Sequence, residues 1–463
     1  MSPPRGDAVD AGNGRGYHLC MTISSQSIPR LQLFPRDAGV NATGHLTIGG
    51  CDAYDLAKEY GTPLYVYDEG MLRHQCREFV ERFSGRYPDT VVCYAAKAFL
   101  NKAMAKLVMD QGLGLDVVSI GEFAIAQSVG FPPERVYFHG NNKLPSELSQ
   151  ALDWGVGRVV VDSIHELRLL DGLARQRGKR QDILLRLTPN VDPHTHDFTT
   201  TGVLDSKFGL PISTGQAEEA VEEAMTLEGL NLLGLHFHLG SPISSTEPYE
   251  AALRIVLEFA HEMKHRYDFD MVELSIGGGF PVAYTVGESL PQPGAYADAV
   301  IKTMSNLLLK QSLMPPRLTI EPGRAIVARA GVALYTVGAL KEVPGVRKFV
   351  CVDGGMSDNI RPPLYGAKYE ALVANRAGEP DAVTVTIAGK LCESGDILVK
   401  DIQLPRVVPG DVIAVPVCGA YCIPMASNYN ALPRPAVVFV DRGRARVVRR
   451  RETHEDLMRL DAN

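Results

Sequence analysis

The sequence predicts an α/β chain: a (β/α)8 barrel of the TIM type followed by a C-terminal all-β barrel or sandwich. Two observations predict the barrel. Short apolar strands alternate with amphipathic helices eight times between Val91 and Ile320, the length and period of such a barrel. No glycine-rich dinucleotide turn follows the first strand, as a doubly wound open sheet would require. A third observation predicts the β domain. From Gly331 onward, strands follow one another without regular helices, separated by Gly, Pro and Asp.

Residues 1–44 are rich in Gly, Pro, Arg, Asp and Ser without sustained period, so a disordered tail is expected. Met21 is a candidate alternative start within it. Residues 45–67 form a segment expected to join the β domain, with a short helix over Tyr54–Tyr60 and a strand over Thr62–Tyr67. The barrel is assigned to 68–328. Met71, Leu72, Cys76, Phe79, Val80 and Phe83 have helical spacing over Glu69–Phe83. Strands are expected at Val91–Ala96, Gly114–Val118, Arg135–His139, Arg158–Asp162, Ile183–Thr188, Leu233–His238, Val272–Ile276 and Arg317–Ile320. Between them lie helical patterns such as Lys102–Gln111, Gly121–Val129, Ile164–Arg177 and Pro248–Tyr267. The β domain takes 329–463, with strands at Val332–Val337, Lys348–Val352, Ala382–Ala388, Asp411–Val417 and Ala436–Asp441.

Bulk properties exclude several roles. A formal net charge of -7 over 463 residues disfavours nucleic acid as a partner, because phosphate binding needs a basic surface. No apolar run approaches the length of a membrane span. The eight cysteines are scattered, which is no disulfide framework, and Cys418 and Cys422 lack a second pair to complete a zinc site. No metal is expected, and a reducing cytoplasm is the expected location.

Catalytic groups of a (β/α)8 barrel gather at the C-terminal ends of its strands. Those ends carry Lys97, Asp116 with Ser119, His139 with Asn141, Asn142 and Lys143, Asp162, Thr188, His236 with His238, Gly277-Gly278-Gly279, and Glu321 with Arg324. Lys97 ends a buried apolar strand, where an amine is costly unless paired, neutralised or covalently used. A lysine that snorkels to solvent is the plain alternative. His236 and His238 are two apart on a strand and share a face, though no third metal ligand at suitable spacing is apparent. The glycine triplet could turn backbone N–H groups toward an anion. Glu321-Pro-Gly-Arg324 sets an acid and a base in one rigid turn, which a structural ion pair would also explain.

Taken in order, the motifs Tyr94-Ala-Ala-Lys-Ala98, His139-Gly-Asn-Asn-Lys143, His236-Phe-His-Leu-Gly-Ser241, Gly277-Gly-Gly279, Glu321-Pro-Gly-Arg324, Arg361-Pro-Pro-Leu-Tyr-Gly366, Cys392-Glu-Ser-Gly-Asp396 and Gly419-Ala-Tyr421 resemble those of the fold-type III pyridoxal-phosphate-dependent decarboxylases. The resemblance covers nearly all of the chain after residue 45. It implies pyridoxal 5'-phosphate as cofactor and Lys97 as its Schiff-base lysine, with an amine made neutral by burial. It further implies that His238 stacks on the cofactor ring and that Ser241, Gly277, Gly278, Gly279 and Tyr421 bind its phosphate. The turn Glu321, Pro322, Gly323, Arg324 would lie against the cofactor, with Glu321 beside the pyridine nitrogen. Asp116 and Glu122 fall where the family keeps acids near the ring.

Within the family the likeness is strongest to members that act on meso-2,6-diaminopimelate, so the expected reaction is its decarboxylation to L-lysine and carbon dioxide. Arg324 and Arg361 are then the expected cations for the distal carboxylate, with Tyr365 and Tyr421 as hydroxyl donors and Glu393 as the anion for the distal ammonium. Cys392 is the expected proton donor. The resemblance places the Cys392–Glu393 loop in the neighbouring subunit's site, which implies a homodimer with interfacial active sites. Ornithine, arginine and carboxynorspermidine are the alternative substrates. A catalytically dead homologue is disfavoured, because Lys97, Cys392 and the glycine triplet are all present. Phe280-Pro281 and Lys368 depart from the commoner pattern of diaminopimelate enzymes.

Overall fold

The computed structural model describes residues 28–192 and 200–462. Met21 and the rest of 1–27 lie outside the described residues. Residues 28–44, expected to be disordered, are ordered. Ile28-Pro-Arg-Leu-Gln-Leu-Phe34 contains a 3-10 turn at Pro29–Leu33, and Leu31, Leu33, Phe34 and Val40 are buried. Their apolar burial outweighs the disorder-favouring composition around them. Arg30 adds contacts to Glu370 at 2.9 Å and Asp381 at 2.9 Å.

Eight parallel strands close into a barrel: β1 (Thr90–Ala95), β2 (Gly114–Val117), β3 (Val136–Phe138), β4 (Arg158–Val161), β5 (Gln181–Thr188), β6 (Leu230–Phe237), β7 (Glu273–Ser275) and β8 (Arg317–Ile320). Closure is made by β8 pairing β1, with Leu318 opposite Thr90, and by β4 pairing β5. All eight expected strands are present, with ends shifted by a few residues. Val, Leu and Ile suit strands covered on both faces. Inside the barrel Cys93, Tyr137, Val160 and Leu184 pack together. Near the N-terminal ends of the strands, buried Glu273 accepts from Tyr137 (2.7 Å), Thr319 (2.9 Å) and Arg158 (3.0 Å). That carboxylate is satisfied and structural.

Several polar residues at the strand ends prove to be helix caps. Ser119 and Ser163 accept N–H bonds from Glu122 (3.3 Å) and Glu166 (3.2 Å), the usual N-cap geometry. Phe280, one of the departures noted above, is a core residue packed against Phe79, Phe83, Tyr249 and Tyr296.

The C-terminal sheet runs in the order Ile397–Leu404, Val383–Ala388, Arg347–Val352, Gly331–Val343, Leu64–Asp68, Ala436–Asp441, Arg444–Arg449. Leu64–Asp68 precedes the barrel in sequence yet lies inside this sheet, parallel to Ala436–Asp441 and antiparallel to Gly331–Val343. The strands before residue 60 do not join it. Gly39–Val40, Leu46–Ile48 and Cys51–Asp52 form a separate three-stranded sheet. Its Val40, Leu46 and Ile48 pack on Val332, Leu334 and Val438. Ile397–Leu404 and Arg444–Arg449 were not among the expected strands. The second is a charged edge strand, whose arginines discourage pairing with another chain. Among the described residues no helix is long and apolar enough to cross a membrane.

Candidate active site

One cavity of about 960 Å³ opens at the C-terminal ends of the barrel strands and is roofed by the C-terminal domain. Lys97, Asp116, His139, Arg186, His236, His238, Ser241, Tyr284, Glu321, Arg324, Arg361, Tyr365 and Tyr421 line it. Lys97 sits two residues beyond β1, in the 3-10 turn Ala96–Ala98, and is exposed to the cavity. The expected burial of its amine is therefore not met. The neighbouring small residues are what the turn requires: a Cβ on Gly323 would come 2.9 Å from that of Ala95. Pro322 accepts the Ala95 N–H at 3.2 Å. Pro322 and Gly323 thus support the lysine turn and do not face the cavity.

Glu321 lies buried in the cavity floor. Ser275 donates to its Oε1 at 2.8 Å and His236 Nε2 to its Oε2 at 3.2 Å. His139 Nε2 stands 3.5 Å from Oε1. Burial pushes this carboxyl up, but His236 and His139, with the hydrogen bonds from His236 and Ser275, outweigh it and hold Glu321 well below the usual carboxylate range. Asp116 moves the other way: burial first, then the Glu321 charge, raise it well above the usual range. Of the two carboxyls Glu321 is the more easily ionised and Asp116 the less. His139, His236 and Glu321 could together hold a metal ion. The third ligand not apparent in the sequence is therefore supplied by neighbouring strands, and His238 is not part of the group.

His238 follows β6 and accepts the Gly278 N–H on Nδ1 at 3.2 Å. Burial, then the Lys97 and Arg186 charges, push its imidazole well below the usual range. It is therefore neutral at pH 7, with its proton on Nε2. The glycine triplet serves this packing. A Cβ on Gly277 would come 2.7 Å from His238 Nδ1, one on Gly278 would collide with the Glu321 carbonyl, and one on Gly279 would come 2.5 Å from the Gly240 carbonyl. None of the three lines the cavity. The amides of Gly277 and Gly278 are taken by Ser275 and His238. Glu122 is also away from the cavity: its carboxylate accepts the Val118 N–H at 2.6 Å at a helix start. Lys143, fully engaged with Gly140, Val160 and Glu166 at 2.7 Å each, anchors the loop after β3.

The opposite wall is cationic. Arg324 donates to Ser241 Oγ from Nε and Nη2, both at 3.2 Å, and to Tyr284 from Nη1 at 3.0 Å. Its guanidinium lies 5.0 Å from the centre of the Tyr421 ring. Arg361 donates from Nη1 to Tyr284 at 2.8 Å and to Tyr369 at 2.5 Å. Burial works against its charge, but Tyr284, Tyr369 and Cys422 outweigh it and raise its pKa. Arg186, Tyr284 and Tyr369 escaped the sequence reading. Arg186 had a signal, a lone charge inside the apolar strand Ile183–Thr188; it stands 3.8 Å from Asp162. Lys97, Arg186, Arg324 and Arg361 all line the cavity, and such a cluster of basic side chains suits anionic groups even though the chain as a whole is acidic.

Cys392 and Glu393 are not brought to this cavity. Both are exposed in the loop before Ile397–Leu404. Cys392 N–H donates to Asn430 at 3.2 Å, and Glu393 accepts from Tyr429 at 2.6 Å. The loop is held from below by Asp396, which accepts the N–H groups of Met356 (2.6 Å) and Leu391 (2.9 Å).

Residues 70–328 match the family described as "Pyridoxal-dependent decarboxylase, pyridoxal binding domain". Diaminopimelate decarboxylase of Bacillus subtilis is 48% identical over 91% of this chain and 96% of its own length. The enzyme of that name from Actinosynnema pretiosum is 48% identical over 90% and 93%. A crystal structure of M. jannaschii diaminopimelate decarboxylase with L-lysine superposes with a TM-score of 0.87 at 35% identity, covering 93% of this chain and 98% of that one.

Proposed function

The chain belongs to the pyridoxal-dependent decarboxylases, and on that premise we propose that it decarboxylates meso-2,6-diaminopimelate to L-lysine and carbon dioxide. The observation that carries the reading is the pair of buried guanidinium groups, Arg324 and Arg361, which share the Tyr284 hydroxyl in the cavity that also holds Lys97. A substrate with a second carboxylate, far from the one that leaves, suits such a pair.

The donor set fits pyridoxal phosphate. Buried polar atoms of Asp116, His139 and His236 lack a hydrogen-bond partner among the described residues, as expected where a polar ligand completes them. Lys97 would hold the cofactor's aldehyde carbon, His238 its ring face, and Glu321 its ring nitrogen. Ser241, Arg324 and Tyr421 would face its phosphate, with Gly277, Gly278 and Gly279 shaping the turn that carries His238. When bound, the cofactor supplies an electron sink for the bond to the departing carboxylate.

The chain's own residues set the conditions for that chemistry. Ionised Glu321, held by His236 and Ser275, would keep a proton on the ring nitrogen. Neutral His238 offers an uncharged face. Arg361 and Tyr365 orient the far end of the substrate, and Glu393 would read its ammonium. Cys392 would return a proton to the carbon that loses carbon dioxide. Cys392 and Glu393 are exposed and outside their own subunit's cavity. A homodimer in which this loop enters the neighbouring site would allow both roles.

Carbon dioxide release is the direct test, measured across diaminopimelate, ornithine, arginine and carboxynorspermidine. Diaminopimelate should be preferred; faster turnover of ornithine would overturn the reading. In the same assay Arg361→Ala should weaken diaminopimelate binding. Truncating one partner of a buried charge pair costs on the order of 2–5 kcal/mol, roughly 30-fold to several thousand-fold in KM. Selectivity over ornithine should fall with it. Intact selectivity would mean that another residue reads the distal carboxylate.

A further inference from the structure

We propose that Tyr284 is a substrate-binding residue that selects for the distal carboxylate by donating its phenolic proton to it. This deepens the diaminopimelate reading and rests on it. The argument is one of hydrogen-bond capacity. Arginine donates and never accepts. The Tyr284 oxygen receives Arg361 Nη1 at 2.8 Å and Arg324 Nη1 at 3.0 Å. A phenol has two acceptor positions and one proton, so the arginines occupy both acceptors and the proton must be directed elsewhere. No acceptor for it appears among the described residues, and Tyr284 lines the cavity. The hydroxyl thus faces a ligand as a donor only, between two cations. That arrangement takes a carboxylate and offers nothing to an ammonium.

The ring is held independently of its hydroxyl. The Tyr284 N–H donates to Glu288 Oε2 at 3.0 Å, and Thr285 donates to Oε1 of the same carboxylate at 2.5 Å. Tyr369 packs edge-on against the ring with centroids 5.4 Å apart, and the Arg361 guanidinium lies over it at 4.8 Å. Tyr284→Phe should therefore keep the fold and remove only the hydroxyl.

The test compares wild-type and Tyr284→Phe holoenzyme for three quantities: KM and kcat with diaminopimelate, and inhibition by the diamine 1,5-diaminopentane, which lacks the distal carboxylate. A lost hydrogen bond to a charged group predicts KM higher by roughly 10- to 100-fold. kcat should stay within about threefold and inhibition by 1,5-diaminopentane should not change. An unchanged KM overturns the inference. So does a parallel rise in KM and in the 1,5-diaminopentane inhibition constant, which would place Tyr284 on a part common to both ligands. Tyr284→Leu, assayed the same way, should match Phe if the hydroxyl alone matters; a much larger KM for Leu than for Phe with Phe near wild type would assign the role to the ring and also overturn it. Wild-type enzyme inactive on diaminopimelate would sink the functional reading itself, a failure distinguishable from all of these.

Discussion

Lys97→Ala turns over diaminopimelate at less than about a thousandth of the wild-type rate, a barrier higher by more than ~4 kcal/mol at 1.36 kcal/mol per decade. Lys97 is the only lysine amine at the cavity floor among the described residues; Lys368 lines the cavity from the C-terminal domain. Its turn is built tightly, with Gly323 against Ala95 and Ala98, and with the Tyr421 N–H bonded to the Ala98 carbonyl at 2.8 Å. Alanine fits this turn, between Ala96 and Ala98, so the fold should survive. Borohydride treatment followed by intact mass measurement checks the assignment. The wild type should retain the cofactor irreversibly after reduction and denaturation, and the variant should not. Retention by Lys97→Ala would move the covalent role to another lysine.

The barrel was legible because strands buried on both faces and helices buried on one leave different periods in sequence, and eight repeats leave little room for another fold. Lys97, His238, Glu321, Arg324 and Arg361 were legible because they stand in ordered motifs at strand ends or in short rigid turns. Tyr284 and Tyr369 were not. Each lies in irregular chain, where no period marks direction, and each earns its place only through contact with arginines far away in sequence. The glycine triplet has a second role that its sequence did not show. A glycine-rich turn after a strand suggests backbone donors for an anion, but here two of its amides are already used and the absent side chains make room for His238 and Glu321. The Lys97 environment also could not be read from its flanks. Apolar neighbours implied burial, whereas the chain turns just before the lysine and releases it into the cavity.

The N-terminal segment carries a related lesson. Composition described residues 28–44 poorly, because a few apolar side chains decided their fate. Leu31, Phe34 and Val40 reach a core shared with Val332 and Val438, and no local pattern announces a partner three hundred residues away. Leu64–Asp68 differs: the segment 45–67 was expected to join the β domain, and this strand pairs with two strands that follow the barrel.

Cys392→Ala should lower kcat by about 10²–10⁴-fold, the usual worth of a positioned general acid, while cofactor binding stays intact. The larger consequence concerns which subunit's site it serves. Cys392 and Glu393 are exposed and lie outside their own subunit's cavity, and the loop that carries them is pinned by Asp396 to Met356 and Leu391, so it is preset rather than free to fold back. If it enters the neighbouring site, two inactive variants should complement each other. In a dimer of one Lys97→Ala subunit and one Cys392→Ala subunit, one of the two sites combines an intact Lys97 with an intact Cys392. Random co-assembly makes half the dimers mixed, each with one working site, so activity should recover to about one quarter of wild type. Donation of Cys392 within its own subunit would give no recovery, since every site would then lack one of the two groups. Co-expressing the variants with different affinity tags, isolating the doubly tagged dimers and measuring carbon dioxide release separates the two arrangements. In the isolated mixed dimers the expected rate is about half that of wild type, because one site in two is whole.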